Sequence, residues 1–266
     1  MTSPADHLAL ARRIAVEAAG FVARSRSAGV EVAATKSSPV DVVTQVDRDT
    51  EQLIRARIAA ARPDDAILGE EDADRAGSSG VRWIVDPIDG TVNFLYGLDQ
   101  YAVSIAVEED GVVVAGVVVN AATGVVYEAA RGGGAWRDGT RIAVRAPAPV
   151  AERLVLTGFN YEAETRQVQA AAAARLIPQV RDLRRLGSCA LDLCHVAEGG
   201  ADAYVEEGVA LWDYAAGALI AQEAGARLEV TLGRGRKIAV VCAPEHGFAA
   251  FRELVVECGF LHQVGE

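Results

Sequence analysis

The chain has 266 residues, of which 51% are hydrophobic and 6% aromatic, which is enough for one large domain or two modest subdomains around a substantial core. Its 37 acidic and 26 basic residues give a formal net charge of −11, which argues against nucleic-acid binding because phosphate contacts need clustered Lys and Arg. Its four cysteines form no CxxC pair, and no basic-then-apolar leader or long apolar run is visible, so we expect a reduced, soluble, cytoplasmic protein without a membrane partner.

The first half of the chain mixes helical and extended patterns. Apolar spacing predicts helices over residues 7–26 and 47–61. Strand-like segments follow at 40–44, 66–68, 82–85, 102–108, 112–120 and 125–129. Asp110-Gly111 is a suitable hairpin turn, and a meander is therefore predicted.

The pattern changes after Pro147, where strands and helices alternate. Strands are predicted at 154–158, 180–186, 203–206 and 237–242, and helices at 164–176, 190–198 and 212–224. This alternation is typical of α/β proteins. We therefore expect an α+β subdomain over residues 1–147 and an α/β subdomain over residues 148–266.

The most informative segment runs from a predicted strand into Asp86-Pro87-Ile88-Asp89-Gly90. We expect the strand to end at Asp86 and a turn to bring the carboxylates of Asp86 and Asp89 to one side. Close carboxylates repel unless a cation or proton lies between them, and oxygen ligands favour Mg²⁺. Gly90 allows close approach of a ligand, and backbone amides at a helix start could bind an anion. The alternative is a surface turn, which Asp-Pro and Asp-Gly also favour.

Two further acidic segments point to the same kind of site. Glu70 and Glu71 follow a strand-like run, although such a segment can also be a solvated loop. Asp213 begins a predicted helix of small residues, where it can act as an N-cap and as a metal ligand at once.

In this order, the motifs resemble the inositol monophosphatase family, within the lithium-sensitive, magnesium-dependent sugar phosphatases. Residues 83–94 and 212–217 match its two signatures, and residues 69–71 match its GEE element. A KxxxxDxVTxxD element is matched from Lys36 to Asp47, and residues 186–193 resemble the segment between the signatures. The resemblance implies a layered αβαβα sandwich in two subdomains, usually a homodimer.

The resemblance also implies roles for individual residues, with two or three Mg²⁺ ions in each active site. The metal ligands would be Glu70, Asp86, the backbone carbonyl of Ile88, Asp89 and Asp213. Gly90 and Thr91 would bind phosphate, and Thr91 with Glu70 and Asp47 would orient the attacking water. The substrate-binding set would be Asp89, Ser188, Cys189, Glu206 and Asp213, although Glu206 and Glu207 can also be read as solvated loop charges.

The implied reaction is hydrolysis of a phosphate monoester by direct in-line attack of a metal-activated water. We expect a phosphorylated polyol as substrate, with myo-inositol monophosphate preferred. Histidinol phosphate, fructose 1,6-bisphosphate and an adenosine bisphosphate stay open, as does an added non-enzymatic role in binding a transcription or RNA partner.

Two details depart from the family pattern or stay unassigned. The segment 227–236 is short for the family and lacks its usual acidic-glycine-proline turn. Arg184 and Arg185 are either dimer contacts or solvated charges.

Overall fold

The structure is a computed structural model that describes residues 3–28, 32–35 and 42–262. Residues 36–41, with Lys36 and Asp41 of the predicted N-terminal element, lie outside the described residues. Among the helices of the described part, none is both long enough and apolar enough to cross a membrane.

The helices and strands are numbered separately in chain order. Within the described residues, the helices are α1 (Pro4–Ala28), α2 (Gln45–Ala61), α3 (Thr91–Tyr96), α4 (Ala163–Leu176), α5 (Cys189–Ala197), α6 (Leu211–Glu223) and α7 (Phe248–Cys258). The strands are β1 (Val32–Thr35), β2 (Val42–Thr44), β3 (Ala66–Gly69), β4 (Val81–Asp89), β5 (Ala102–Glu109), β6 (Val112–Asn120), β7 (Val126–Ala130), β8 (Ala135–Arg137), β9 (Thr140–Ile142), β10 (Leu154–Thr157), β11 (Asp182–Arg184), β12 (Ala203–Glu207), β13 (Ala226–Leu232) and β14 (Ile238–Pro244).

The strands form two large sheets and one small one. A seven-stranded sheet has the order β3-β4-β5-β6-β7-β8-β9 and is antiparallel except for the β3–β4 pair. A five-stranded sheet has the order β11-β10-β12-β14-β13, in which β10 runs parallel to both of its neighbours. β1 and β2 form an antiparallel pair.

Consecutive residues of a strand point to opposite faces of its sheet and therefore pack into different layers. Ile84 contacts the core around α5 and α6, whereas Val85 packs with α1 and α2. In the five-stranded sheet, Tyr204 joins the same central core and Val205 packs with α4 and α7. The layers are therefore α1 and α2, the seven-stranded sheet, α5 and α6, the five-stranded sheet, and α4 and α7. The predicted αβαβα sandwich is confirmed.

β4 contains a bulge next to the acidic motif. Asp86 lies opposite Ser104 on β5, and Asp89 lies opposite Ala102, so three steps along β4 correspond to two along β5. Pro87, which has no N–H to donate to the ladder, lies within the bulge. The expectation that the strand ends at Asp86 is therefore wrong, because β4 continues to Asp89 with this irregularity.

All five helices predicted from apolar spacing are present, as is the meander of β5, β6 and β7. The elements not predicted are β1, β8, β9, β13, α3 and α7. In β13, apolar residues alternate with Arg227 and Glu229, and the Glu229 carboxylate pairs with Arg252 of α7 at 2.7 Å. Such alternation is typical of a half-buried strand, so β13 was predictable from the sequence although it was not predicted. The subdomain boundary near residue 147 stays a prediction.

Candidate active site

A cavity of about 390 Å³ opens beside the ends of β4 and β12 and the beginnings of α3, α5 and α6. Its acidic lining residues are Glu70, Asp86, Asp89, Glu162, Glu206 and Asp213, and its basic ones are Arg185 and Lys237. Gly90 and Thr91 also line it. The structure therefore brings most of the predicted site residues to one place.

Three aspartates form the centre of this cavity. Asp86, Asp89 and Asp213 each offer one carboxylate oxygen, and these oxygens lie within 4.8 Å of one another. Asp86 and Asp89 are three residues apart, and a regular strand would point them to opposite faces. The extra residue of the β4 bulge reverses the alternation, so both carboxylates face the beginning of α6, where Asp213 lies.

Local hydrogen bonds hold each of these carboxylates. Asp86 accepts from the Ile88 backbone N–H at 3.0 Å, and Asp213 accepts from the Ala210 N–H at 2.6 Å, which caps the beginning of α6. Asp89 accepts from the Ser188 hydroxyl at 2.5 Å and from the Ala190 N–H at 2.7 Å. Ser188 is 1% exposed; it also caps α5 and lies behind Asp89, outside the residues that line the cavity.

The carboxylates of the cluster are hard to ionise together. Burial and the charges of Glu70, Asp89 and Asp213 hold the pKa of Asp86 well above its usual range. Burial raises the pKa of Asp89 to about 6, against the lowering effect of its hydrogen bonds from Ser188 and the α5 backbone. Burial and the charges of Glu70 and Asp89 also raise the pKa of Asp213.

This donor set fits a hard cation. Buried like charges are relieved by protons or by a bound cation, and a site made of carboxylate oxygens suits Mg²⁺ better than softer metals. Glu70 adds a further carboxylate, because it lines the same cavity and its charge helps to raise the pKa of Asp86. The aspartate cluster could therefore bind a metal ion.

Glu70 lies in the turn after β3, and a residue not singled out from the sequence shapes that turn. Glu51 of α2 is fully buried and accepts hydrogen bonds from the backbone N–H groups of Glu71 at 2.8 Å and Asp72 at 3.0 Å. It also pairs with Arg55 at 2.8 Å. The turn that carries Glu70 is thus attached to α2 through a carboxylate.

Asp47, on the same helix, reaches the beginning of α3. The Thr91 hydroxyl lies 3.0 Å from the Asp47 carboxylate and 3.1 Å from the Ile88 carbonyl oxygen. Asp47 also accepts from the Thr44 backbone N–H at 2.8 Å and from the Thr44 hydroxyl. The Thr44 hydroxyl oxygen in turn accepts from the Asp47 backbone N–H at 3.3 Å, which completes a capping box at the beginning of α2.

Glu206 lies at the end of β12, where it lines the cavity and accepts a hydrogen bond from the Tyr204 hydroxyl at 2.9 Å. Burial raises the pKa of Glu206 to about 7. Glu207 points the other way and is buried, where it accepts from the backbone N–H groups of Gly235 and Lys237, each at 3.0 Å. The alternative that both are solvated loop charges is therefore wrong.

The remaining wall contains Cys189 and two cations. Burial and the charges of Asp89, Glu206 and Asp213 raise the pKa of the Cys189 thiol well above its usual range, so this thiol stays neutral. Burial raises the pKa of both Asp89 and Glu206, and the Arg185 charge offsets part of that rise. Lys237 pairs with Glu162 at 2.8 Å. Sequence reasoning did not assign the two cations to the site; the position of Arg185 two residues before Gly187 was the only local hint.

Comparisons with known proteins agree with this arrangement. A sequence model of the inositol monophosphatase family matches residues 5–255. Inositol-1-monophosphatase SuhB of Mycobacterium tuberculosis is 46% identical over 260 residues, covering 90% of each chain. The chain belongs to the inositol monophosphatase family. It is therefore a phosphatase, a phosphoric monoester hydrolase, and the family's dependence on metal agrees with the aspartate cluster.

A solved structure of the same mycobacterial protein and one further relative are also similar to this chain. The solved structure of Mycobacterium tuberculosis SuhB has a TM-score of 0.84 and 42% identity, and the alignment covers 98% of this chain and 100% of that one. The Nus factor SuhB of Pasteurella multocida is 38% identical over 221 residues, which is 82% of each chain.

Proposed function

We propose that this phosphatase hydrolyses the phosphate monoester of a small polyol with Mg²⁺, and that myo-inositol monophosphate is the preferred substrate. The observation that carries the proposal is the cluster of three aspartate oxygens within 4.8 Å, in the same cavity as the Glu206 carboxylate. The carboxylates of the aspartate cluster suit cations, and the separate carboxylate of Glu206 suits the hydroxyl groups of a substrate. The 46% identity to a protein named inositol-1-monophosphatase supports the choice of substrate.

We propose that the carboxylates of Glu70, Asp86, Asp89 and Asp213, with the Ile88 carbonyl oxygen, hold two or three Mg²⁺ ions. When bound, Mg²⁺ lowers the pKa of water and stabilises the negative charge of the phosphate and the departing alkoxide. The protein contributes the placement of these oxygens, which the bulge in β4 and the cap of α6 maintain.

Asp47 and Thr91 are proposed to act on the attacking water. A threonine hydroxyl has one hydrogen to donate and lone pairs to accept. Donation from Thr91 to Asp47 at 3.0 Å leaves those lone pairs available to a water in the cavity. The water's proton would pass to the Thr91 oxygen as the Thr91 hydrogen passes to Asp47. Glu70 would help to orient the same water from its other side.

Glu206, Cys189 and the two cluster members Asp89 and Asp213 are proposed to face the alcohol part of the substrate, with Ser188 supporting Asp89 from behind. A carboxylate that accepts a hydroxyl hydrogen bond contributes roughly 1.5–3 kcal/mol. Gly90 and Thr91 are proposed to bind the phosphate. The neutral Cys189 thiol is a poor nucleophile, which supports direct hydrolysis without a covalent intermediate.

The alternatives are other phosphorylated substrates for the same cavity and an additional role in binding a partner. The same cluster would serve histidinol phosphate, fructose 1,6-bisphosphate or an adenosine bisphosphate. The relative named Nus factor SuhB supports a second role in binding a transcription partner, beside catalysis. We also propose that the protein is cytoplasmic and acts as a homodimer.

The test is a panel of phosphorylated alcohols assayed with purified protein, with Mg²⁺ and with a chelator. We expect myo-inositol monophosphate to give the highest kcat/KM and chelation to abolish the rate. A higher kcat/KM for one of the alternative phosphates would replace the substrate, and a rate that survives chelation would overturn the metal assignment.

A further inference from the structure

Glu51 presents a fully buried carboxylate that the proposed chemistry does not use. It lies on α2, four residues after Asp47, so both side chains are on one face of that helix. Asp47 reaches Thr91, and Glu51 reaches the turn after β3. A single helix thus contacts the cavity at two separate places.

The contacts of Glu51 converge on the backbone next to Glu70. One carboxylate oxygen accepts from the Glu71 N–H at 2.8 Å, and the other accepts from the Asp72 N–H at 3.0 Å and from Arg55 at 2.8 Å. Arg55 in turn donates to the Asp72 carbonyl oxygen at 3.0 Å. The two residues that follow Glu70 are therefore fixed to α2, while Gly69, which precedes it, is fixed in β3.

The Glu51 carboxylate also packs closely against the backbone of Gly69. A β-carbon at Gly69 would overlap the Glu51 carboxylate. The approach of this carboxylate therefore leaves no room for a side chain at the glycine of the GEE element.

We infer that Glu51 is a positioning residue that sets the Mg²⁺ affinity of the site by holding the turn that carries Glu70. The inference rests on the proposed function, because it assumes that Glu70 is a metal ligand. Groups that orient metal ligands from behind typically change metal affinity or activity by roughly 10- to 100-fold when altered. Glu51 acts through the backbone of Glu71 and Asp72 rather than through the Glu70 side chain itself.

The test compares Mg²⁺ binding to the metal-free full-length protein by calorimetry for the wild type, Glu51→Gln and Asp65→Asn. Asp65 is a matched control because its carboxylate is also buried and accepts from three side chains, those of Arg62, Ser79 and Trp83. We expect the Kd for Mg²⁺ to rise by about tenfold or more in Glu51→Gln, with kcat at saturating Mg²⁺ within about threefold of wild type. Asp65→Asn should lower the melting temperature and leave the Kd unchanged.

A second variant, Arg55→Gln, removes the contacts to Glu51 and to the Asp72 carbonyl and should raise the Kd in the same direction. If Glu51→Gln does not fold, Arg55→Gln decides the question alone. An unchanged Kd in the folded variants would overturn the role of Glu51 and leave the proposed function intact. A wild-type protein that neither binds Mg²⁺ nor needs it would overturn the proposed function instead.

Discussion

The Thr91 hydroxyl lies 3.0 Å from a carboxylate oxygen of Asp47, although 44 positions separate the two residues in the chain. This contact joins the beginning of α2 to the beginning of α3 at the edge of the cavity. Because Asp47 is fully buried and also accepts from Thr44, the contact has little freedom to rearrange.

The first prediction concerns proton transfer through this pair. Asp47→Asn keeps the shape of the side chain but removes most of its basicity, so kcat should fall by roughly 10²- to 10⁴-fold. The measurement is kcat on myo-inositol monophosphate, with melting followed by circular dichroism. Asp49→Asn, on an exposed part of the same helix, is the control and should keep wild-type kcat. Equal rates in the two variants would remove Asp47 from the mechanism.

The second prediction assigns opposite effects to one substitution. Asp86→Asn removes the charge of a proposed Mg²⁺ ligand, so kcat should fall about a thousandfold or more. It also removes a buried charge from a repelling cluster, so the metal-free variant should melt at a higher temperature than wild type at alkaline pH. The gain should be about 2–4 °C for each kcal/mol of repulsion removed. Normal turnover in a folded variant would contradict the metal assignment.

The third prediction concerns selectivity. Glu206→Gln keeps the shape of the side chain and removes the charge that is proposed to accept substrate hydroxyls. Hydrolysis of myo-inositol monophosphate should lose roughly 10- to 150-fold in kcat/KM, the equivalent of one charge-assisted hydrogen bond. An aryl phosphate without hydroxyl groups is the control substrate and should be hydrolysed at the wild-type rate. Equal losses on both substrates would indicate a structural role for Glu206.

The fourth prediction uses the pKa of Glu206, which burial raises from the ordinary 4.5 to about 7. The folded protein therefore holds this proton more tightly than the unfolded chain, so the free energy of unfolding should fall as pH rises from about 4.5 to 7. The full effect is at most roughly 3 kcal/mol. Chelator-treated wild type and Glu206→Gln should diverge over this window during denaturant unfolding and run parallel above it. Curves that are parallel throughout would show that Glu206 does not titrate there.

Much of the cavity was predictable because its carboxylates follow local signals. Asp86 and Asp89 come at the end of an apolar run, and Asp213 begins a helix. The predicted turn at Asp86 was nevertheless wrong, because a bulge in β4 brings the carboxylates of Asp86 and Asp89 to one side. That bulge depends on pairing with β5. No local pattern distinguishes a bulge from a strand end when a proline and a glycine lie close by.

The contacts of Glu51 and Lys237 could not be predicted from the sequence for a different reason. Glu51 meets a backbone N–H that lies 20 residues away, and Lys237 pairs with a carboxylate 75 residues away. In the sequence, Glu51 lies in a predicted helix and Lys237 begins a predicted strand, and neither pattern indicates a distant partner. The packing of α2 against β4 brings Glu51 to the turn that carries Glu70, and the pairing of β13 with β14 brings Lys237 to the cavity.

Asp213 belongs to α6, whereas Asp86 and Asp89 belong to β4, and α6 lies in the layer between the two large sheets. A cation bound by all three aspartates would therefore cross-link β4 to α6, which are distant in the chain. Since a ligand that binds only the folded state stabilises it by mass action, loading the site would strengthen the contact between two of the five layers, the seven-stranded sheet and the layer of α5 and α6. Chelation would then loosen the contact between these two layers, and not merely the rim of one cavity.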